Sequence, residues 1–67
     1  MNATKLREKV EKSGLTVEEL ATRIGIDPST YYRKMNADGE NFTVAQAKKM
    51  ATVLGLTNDE ASEIFLA

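Results

Sequence analysis

The chain has no cysteine and no histidine among its 67 residues. Without cysteine there is neither a disulfide nor a thiolate metal site, a composition that fits a reducing compartment. Without histidine as well, a zinc site and a histidine-based catalytic dyad are excluded. There is no long apolar run, and Lys5, Arg7, Glu8 and Lys9 charge the N-terminal stretch. No signal peptide or membrane span is therefore expected, and the protein is expected to be cytoplasmic. Internal repeats, low-complexity tracts and linkers are missing, and no useful length alternates with a period of two, so strands are not expected. No nucleophile, base and metal constellation is present: Tyr31 and Tyr32 alone do not make one. The acids Glu18, Glu19, Glu60 and Glu63 read as capping and solubility residues. The chain is thus not expected to be an enzyme or to hold a cofactor.

What is present is enough for one small domain, expected over residues 1–67. Chains of this size bury about 60% of the surface they expose unfolded, and 42% of these residues are apolar. No effector-binding or separate dimerisation domain fits in that length, so no small-molecule effector is expected.

The pattern is five short helical segments with punctuation between them. Leu6 and Val10 share one face of a first helix from Ala3 to Ser13, which Gly14 closes. Glu8 and Lys12, four apart, suit a modest ion pair along it. Thr16 then offers an N-cap, and Glu19 three residues on completes a capping box. Leu20, Ala21 and Ile24 form an inward stripe that Gly25 ends. Asp27-Pro28 restarts the chain: Asp can accept from exposed N–H groups, and Pro fits the first helical position. Tyr31 and Met35 lie inward on the third helix. A loop with its turn at Asp38-Gly39 leads to Phe42 and Thr43, a staple and cap for a fourth helix from Val44 to Leu54. There Val44, Ala47, Met50, Ala51 and Leu54 should make one apolar face. Gly55 ends it, and Thr57 with Glu60 builds another capping box for a last helix whose Ala61, Ile64 and Phe65 face inward.

The informative stretch is Thr16 to Asn36, TVEELATRIGIDPSTYYRKMN. Two short helices joined by a tight Gly-containing turn, the second outwardly polar, are the mark of a helix-turn-helix whose second helix enters the DNA major groove. Net charge argues the other way, at −1 overall, since duplex binding calls for a basic surface. Distribution softens this. Residues 1–56 hold all nine Lys and Arg, whereas Asp59, Glu60 and Glu63 make the last segment acidic. An acidic last helix set away from the duplex leaves a mildly basic working face and a salt-dependent affinity.

These residues resemble the lambda-repressor-like DNA-binding domain, the Cro and phage-repressor (XRE-type) superfamily, over nearly the whole chain. Leu20 and Ala21 stand where the first motif helix has a large apolar and then a small residue, Gly25 at the turn, and Ile26 and Tyr31 at the core-tying positions. TyrArgLysMetAsn followed by PheThr is similar to the phage-type variant. The resemblance implies an all-α, compact five-helix fold with the helix-turn-helix at helices 2 and 3. Two positions depart from it. Val17 replaces the Gln that often touches a phosphate, although backbone N–H groups near Thr16 can still contribute. Met35 stands where many members place an acid to pair with an Arg of the first helix, which leaves Arg7 without that acidic partner.

With Tyr31 and Met35 turned inward, the base-contacting candidates are Pro28, Ser29, Tyr32 and Arg33. Arg33 can hold the O6 and N7 acceptors of guanine, Ser29 can bond a base edge, and Tyr32 can pack on a thymine methyl. Solvated Arg33 and core-edge Tyr32 are the bland alternatives. The resemblance implies backbone contacts from Thr16, Thr30, Lys34, Asn36, Asn41 and Thr43, which set register. Lys48 and Lys49 read as surface residues. Phe65 and Leu66 either close the core or form a two-fold contact. Related proteins bind pseudo-palindromic operators in pairs, so a weak homodimer on double-stranded DNA is expected. Two functions remain. One is a transcriptional regulator of the small phage or prophage Cro or repressor kind, acting by operator occupancy. The other is an interaction module of the same fold that has lost DNA binding, an antitoxin-like partner or an antirepressor.

Overall fold

Helices of eight to eleven residues are too short to persist alone in water, so each must be held by packing an apolar face. The computed structural model describes residues 1–36 and 42–66. Five helices follow in these residues: α1 (Ala3–Ser13), α2 (Val17–Ile24), α3 (Pro28–Asn36), α4 (Val44–Leu54) and α5 (Asn58–Phe65). There is no strand among the described residues. The all-α reading holds, and the helix boundaries fall where the caps and glycines place them.

Leu6, Leu20, Met50 and Ile64 are completely or almost completely buried, one each from α1, α2, α4 and α5. Val10, Ala21, Ile24, Tyr31, Met35 and Phe42 complete the core. α2 packs against both α3 and α4, while α1 lies on α4 and α5. Ala21 is fully buried; a larger side chain there would hold α2 off its neighbours. The motif turn depends on Gly25, whose φ of 81° is costly for any residue with a Cβ. Its N–H donates to Thr22 O at 3.2 Å and the Ile26 N–H to Ala21 O at 3.0 Å. Together they close α2 in a Schellman motif.

The caps fold as local sequence dictates. The capping boxes expected at Thr16/Glu19 and Thr57/Glu60 are both formed. Thr43 caps α4 and gains a partner beyond the expected single bond: Gln46 completes a third box. At the other end of the chain, the Asn2 N–H donates to Ile64 O at 2.7 Å, tying the start of α1 to α5.

Three expectations fail. The Asp27 side chain caps no N–H of α3; only its backbone carbonyl takes part, accepting from the Tyr31 N–H. Val44 is 74% exposed instead of joining the α4 face. At 100° per residue it stands about 120° around the helix from Met50, at the margin of the stripe. The Glu8–Lys12 pair is not made either. The ion pairs found among the described residues bridge helices, Lys5 with Glu63 and Lys9 with Glu60. Lys5 and Lys9 face α5, whereas Glu8 and Lys12 are exposed to water, where such a pair gains little. The expected Asp38-Gly39 turn lies outside the described residues. No described helix is long and apolar enough to cross a membrane.

Candidate nucleic-acid interface

α3 opens with Pro28 at its first position, and the Tyr31 N–H donates to Asp27 O at 3.0 Å. Turning Tyr31 and Met35 inward leaves Ser29, Tyr32, Arg33 and Asn36 exposed. Their spacing of three, four and seven puts all four on one face. Pro28, Thr30 and Lys34 are half-buried along its flanks. The structure thus brings three of the four base-contacting candidates onto a single outward face, with Pro28 at its leading end.

An aromatic row supports that face. Tyr32 meets Tyr31 edge-on, with centroids 5.9 Å apart and planes at 82°. Tyr31 in turn packs against Phe42, with centroids 5.6 Å apart. Tyr32 therefore reconciles the two readings of its role: one side of the ring covers the core edge, while 49% of the residue remains exposed. Burial pushes the Tyr31 phenol above its ordinary value, the charge of Arg7 offsets part of this, and Tyr32 adds to it. Lys34 carries its ammonium to 5.9 Å from the Phe42 ring, a cation–π distance that sets positive charge beside the start of α4.

Asn36 is engaged by a residue absent from the sequence candidates: Arg7 Nη2 donates to Asn36 Oδ1 at 3.3 Å. The acid missing at Met35 is replaced one position later by an amide. The signal available in the sequence was Asn36 itself, a carbonyl acceptor at the end of the helix where the resemblance calls for an acceptor.

The backbone candidates divide. Thr16 Oγ1 accepts from the Glu19 N–H, and the Thr16 N–H donates to Glu19 Oε1, both at 3.1 Å. The Thr16 N–H itself is thus spent within the cap. The Glu19 carboxyl is held below its usual range, first by the Thr16 backbone N–H, then by the Thr16 side chain and, more weakly, the charge of Arg23. With Glu18 beside it, the first turn of α2 carries two acids. Thr43 is exposed at the head of α4, where the box partner is neutral Gln46 and the first turn holds no acid. Asn41 lies outside the described residues.

Opposite charges gather at the far end of the chain. Lys9 and then the Thr57 backbone N–H pull the Glu60 carboxyl down to about 2. Two of the acids of α5 are thereby matched by lysines of α1. Leu66 is 81% exposed and Phe65 half-buried. Both border a groove of about 650 Å³ between α4 and α5 that Val44, Ala47 and Ala51 also line. The two dimer candidates thus share one apolar surface with misplaced Val44. Among the described residues no cluster of acids could hold a metal ion.

No curated protein and no solved structure matches the chain significantly. A family model described as a helix-turn-helix domain matches residues 3–64, from the first residue of α1 to the last turn of α5. In agreement with its lambda-repressor-like layout, the chain belongs to the helix-turn-helix domain family.

Proposed function

We propose that the protein is a sequence-specific DNA-binding transcriptional regulator of the phage Cro or repressor kind, acting by occupying an operator. The observation that carries this is the exposed row Ser29, Tyr32, Arg33 and Asn36 on the second helix of a helix-turn-helix. α3 enters the major groove. Arg33 pairs with guanine through its fork, Ser29 bonds a base edge, Tyr32 packs on a thymine methyl, and Pro28 leads the helix in. Thr30, Lys34, Asn36 and Thr43 fix register on the phosphates, while Thr16 serves chiefly as a cap. The protein acts by binding, without catalysis and without a small-molecule effector.

One recognition helix reads few bases, so a second copy is needed for specificity. The apolar groove bordered by Phe65 and Leu66 supports a weak homodimer assembled on a pseudo-palindromic site. Sedimentation that finds only monomer, with and without operator, overturns this part.

Selection of bound duplexes from a random pool, at low and moderate salt, tests the whole reading. The expected result is a dyad with half-sites about ten base pairs apart, lost with Arg33→Ala. The second reading, an interaction module without DNA binding, draws on the acidic start of α2. It gains if folded protein enriches no duplex at either salt.

A further inference from the structure

Arg7 occupies an unusual electrostatic position on α1. Its neighbours Lys5 and Lys9 are neutralised by Glu63 and Glu60 of α5. Arg7 lies on the opposite side of the helix and meets an amide: Asn36 Oδ1 accepts one of its hydrogen bonds at 3.3 Å. Among the described residues no carboxylate stands within ion-pair range of it. Glu11, one turn along α1, lines the same groove without pairing.

The identity of the partner decides what Arg7 can do. A carboxylate would both orient the guanidinium and cancel its charge. The Asn36 carbonyl orients it and leaves the charge whole, with most of the five donors of the fork unused. Arg7 shares a groove of about 340 Å³ with Val17, Tyr32 and Asn36. Its charge therefore opens beside the outward face of α3, at the edge where the Val17 side chain offers no polar group and Glu19 has taken up the Thr16 N–H. A planar cation with spare forked donors is matched chemically by a phosphate.

We infer that Arg7, oriented by Asn36, binds a phosphate of the DNA backbone and supplies the grip that the Val17 side chain does not. The inference rests on the DNA-binding reading. It makes the α1–α3 contact part of the interface and not only a brace.

Salt titration of duplex affinity tests it, with melting curves for each variant and Arg33→Ala as the control for groove readout. Removing the charge with Arg7→Gln should weaken binding about tenfold and make the slope of log K against log salt shallower by about 0.9. Arg7→Lys should keep the slope while losing affinity, because the charge remains and the fork does not. A brace alone would lower Tm and leave the slope untouched, so an unchanged slope in Arg7→Gln overturns the proposal. Should that variant fail to fold, Asn36→Asp decides, compared with Asn36→Ala. Neutralising Arg7 should flatten the slope in the acid variant only, and equal slopes overturn the proposal. Wild-type protein that binds no duplex at low salt overturns the DNA-binding reading itself, and this proposal with it. Wild-type binding that is lost in Arg33→Ala but unaffected by Arg7→Gln overturns this proposal alone.

Discussion

The N-termini of α2 and α4 both flank α3 and are closed by the same reciprocal pair of hydrogen bonds, one ring through a carboxylate and the other through an amide. In α2, Thr16 and Glu19 exchange bonds of 3.1 and 3.1 Å; in α4, Thr43 and Gln46 exchange bonds of 3.0 and 3.1 Å. Val17 of α2 shares a groove with Tyr32 and Asn36. On the other side, Phe42 lies against Tyr31 and Lys34 at the head of α4. The geometry is the same, yet the electrostatic outcome differs. Glu18 and Glu19 already satisfy the positive end of the α2 dipole, whereas the first turn of α4 carries no acid. A capping box thus fixes how a helix begins without fixing whether that beginning attracts an anion.

The largest expected effect comes from erasing the difference in the unfavourable direction. Gln46→Glu keeps the box but puts a carboxylate at the head of α4. Duplex affinity, followed by fluorescence anisotropy, should fall about tenfold with little change in Tm. Undiminished affinity would place that helix end outside the interface and break the comparison.

Removing the cap hydroxyls should separate stability from binding. Thr16→Ala and Thr43→Ala should each cost about 1 kcal/mol of folding stability, a shift in Tm of about 4–8 °C. Only Thr43→Ala should also weaken DNA binding. Equal losses of affinity would show that both helix ends touch phosphate.

A smaller gain is expected from Glu19→Gln, which makes the α2 box resemble that of α4. Affinity should rise about threefold at low salt and converge with wild type as salt screens the charge.

The smallest effect is in pH dependence. Glu19 and Glu60 both have folded-state carboxyls below the usual 4.5, Glu60 at about 2. A depressed folded value contributes stability that is complete above the unfolded value and is lost as pH falls through the folded one. Tm should therefore decline from about pH 4.5 towards pH 2. In Glu60→Gln, melting across that window should decline less steeply, and an identical profile would remove Glu60 from the account. Gln46 does not titrate, so α4 contributes no such component.

The fold was legible because its instructions are short-range. Thr16 with Glu19, Thr57 with Glu60, Gly25 after Ile24, and Pro28 after Asp27 act within about one helical turn, and the structure puts helix ends at each. The third box is less legible because Gln46 closes it through an uncharged amide. The outward row on α3 was legible for the same reason: once Tyr31 and Met35 are assigned inward, the helical period assigns the rest. The misplacement of Val44 marks the limit of that logic, since periodicity gives the direction of a stripe but not how far the neighbouring helices cover it.

By itself the sequence determined five helices, the caps at Thr16, Thr43 and Thr57, the motif turn and the polar face of α3, all set by interactions between near neighbours. Tertiary structure alone decided which charges meet. Lys9 and Glu60 stand 51 positions apart, Arg7 and Asn36 stand 29 apart, and nothing in local patterning pairs them. Their meeting depends on how α1 crosses α5 and α3, which the packing of Leu6, Leu20, Met50 and Ile64 sets. That packing gives the acids of α5 their lysines and leaves Arg7 charged beside the recognition helix.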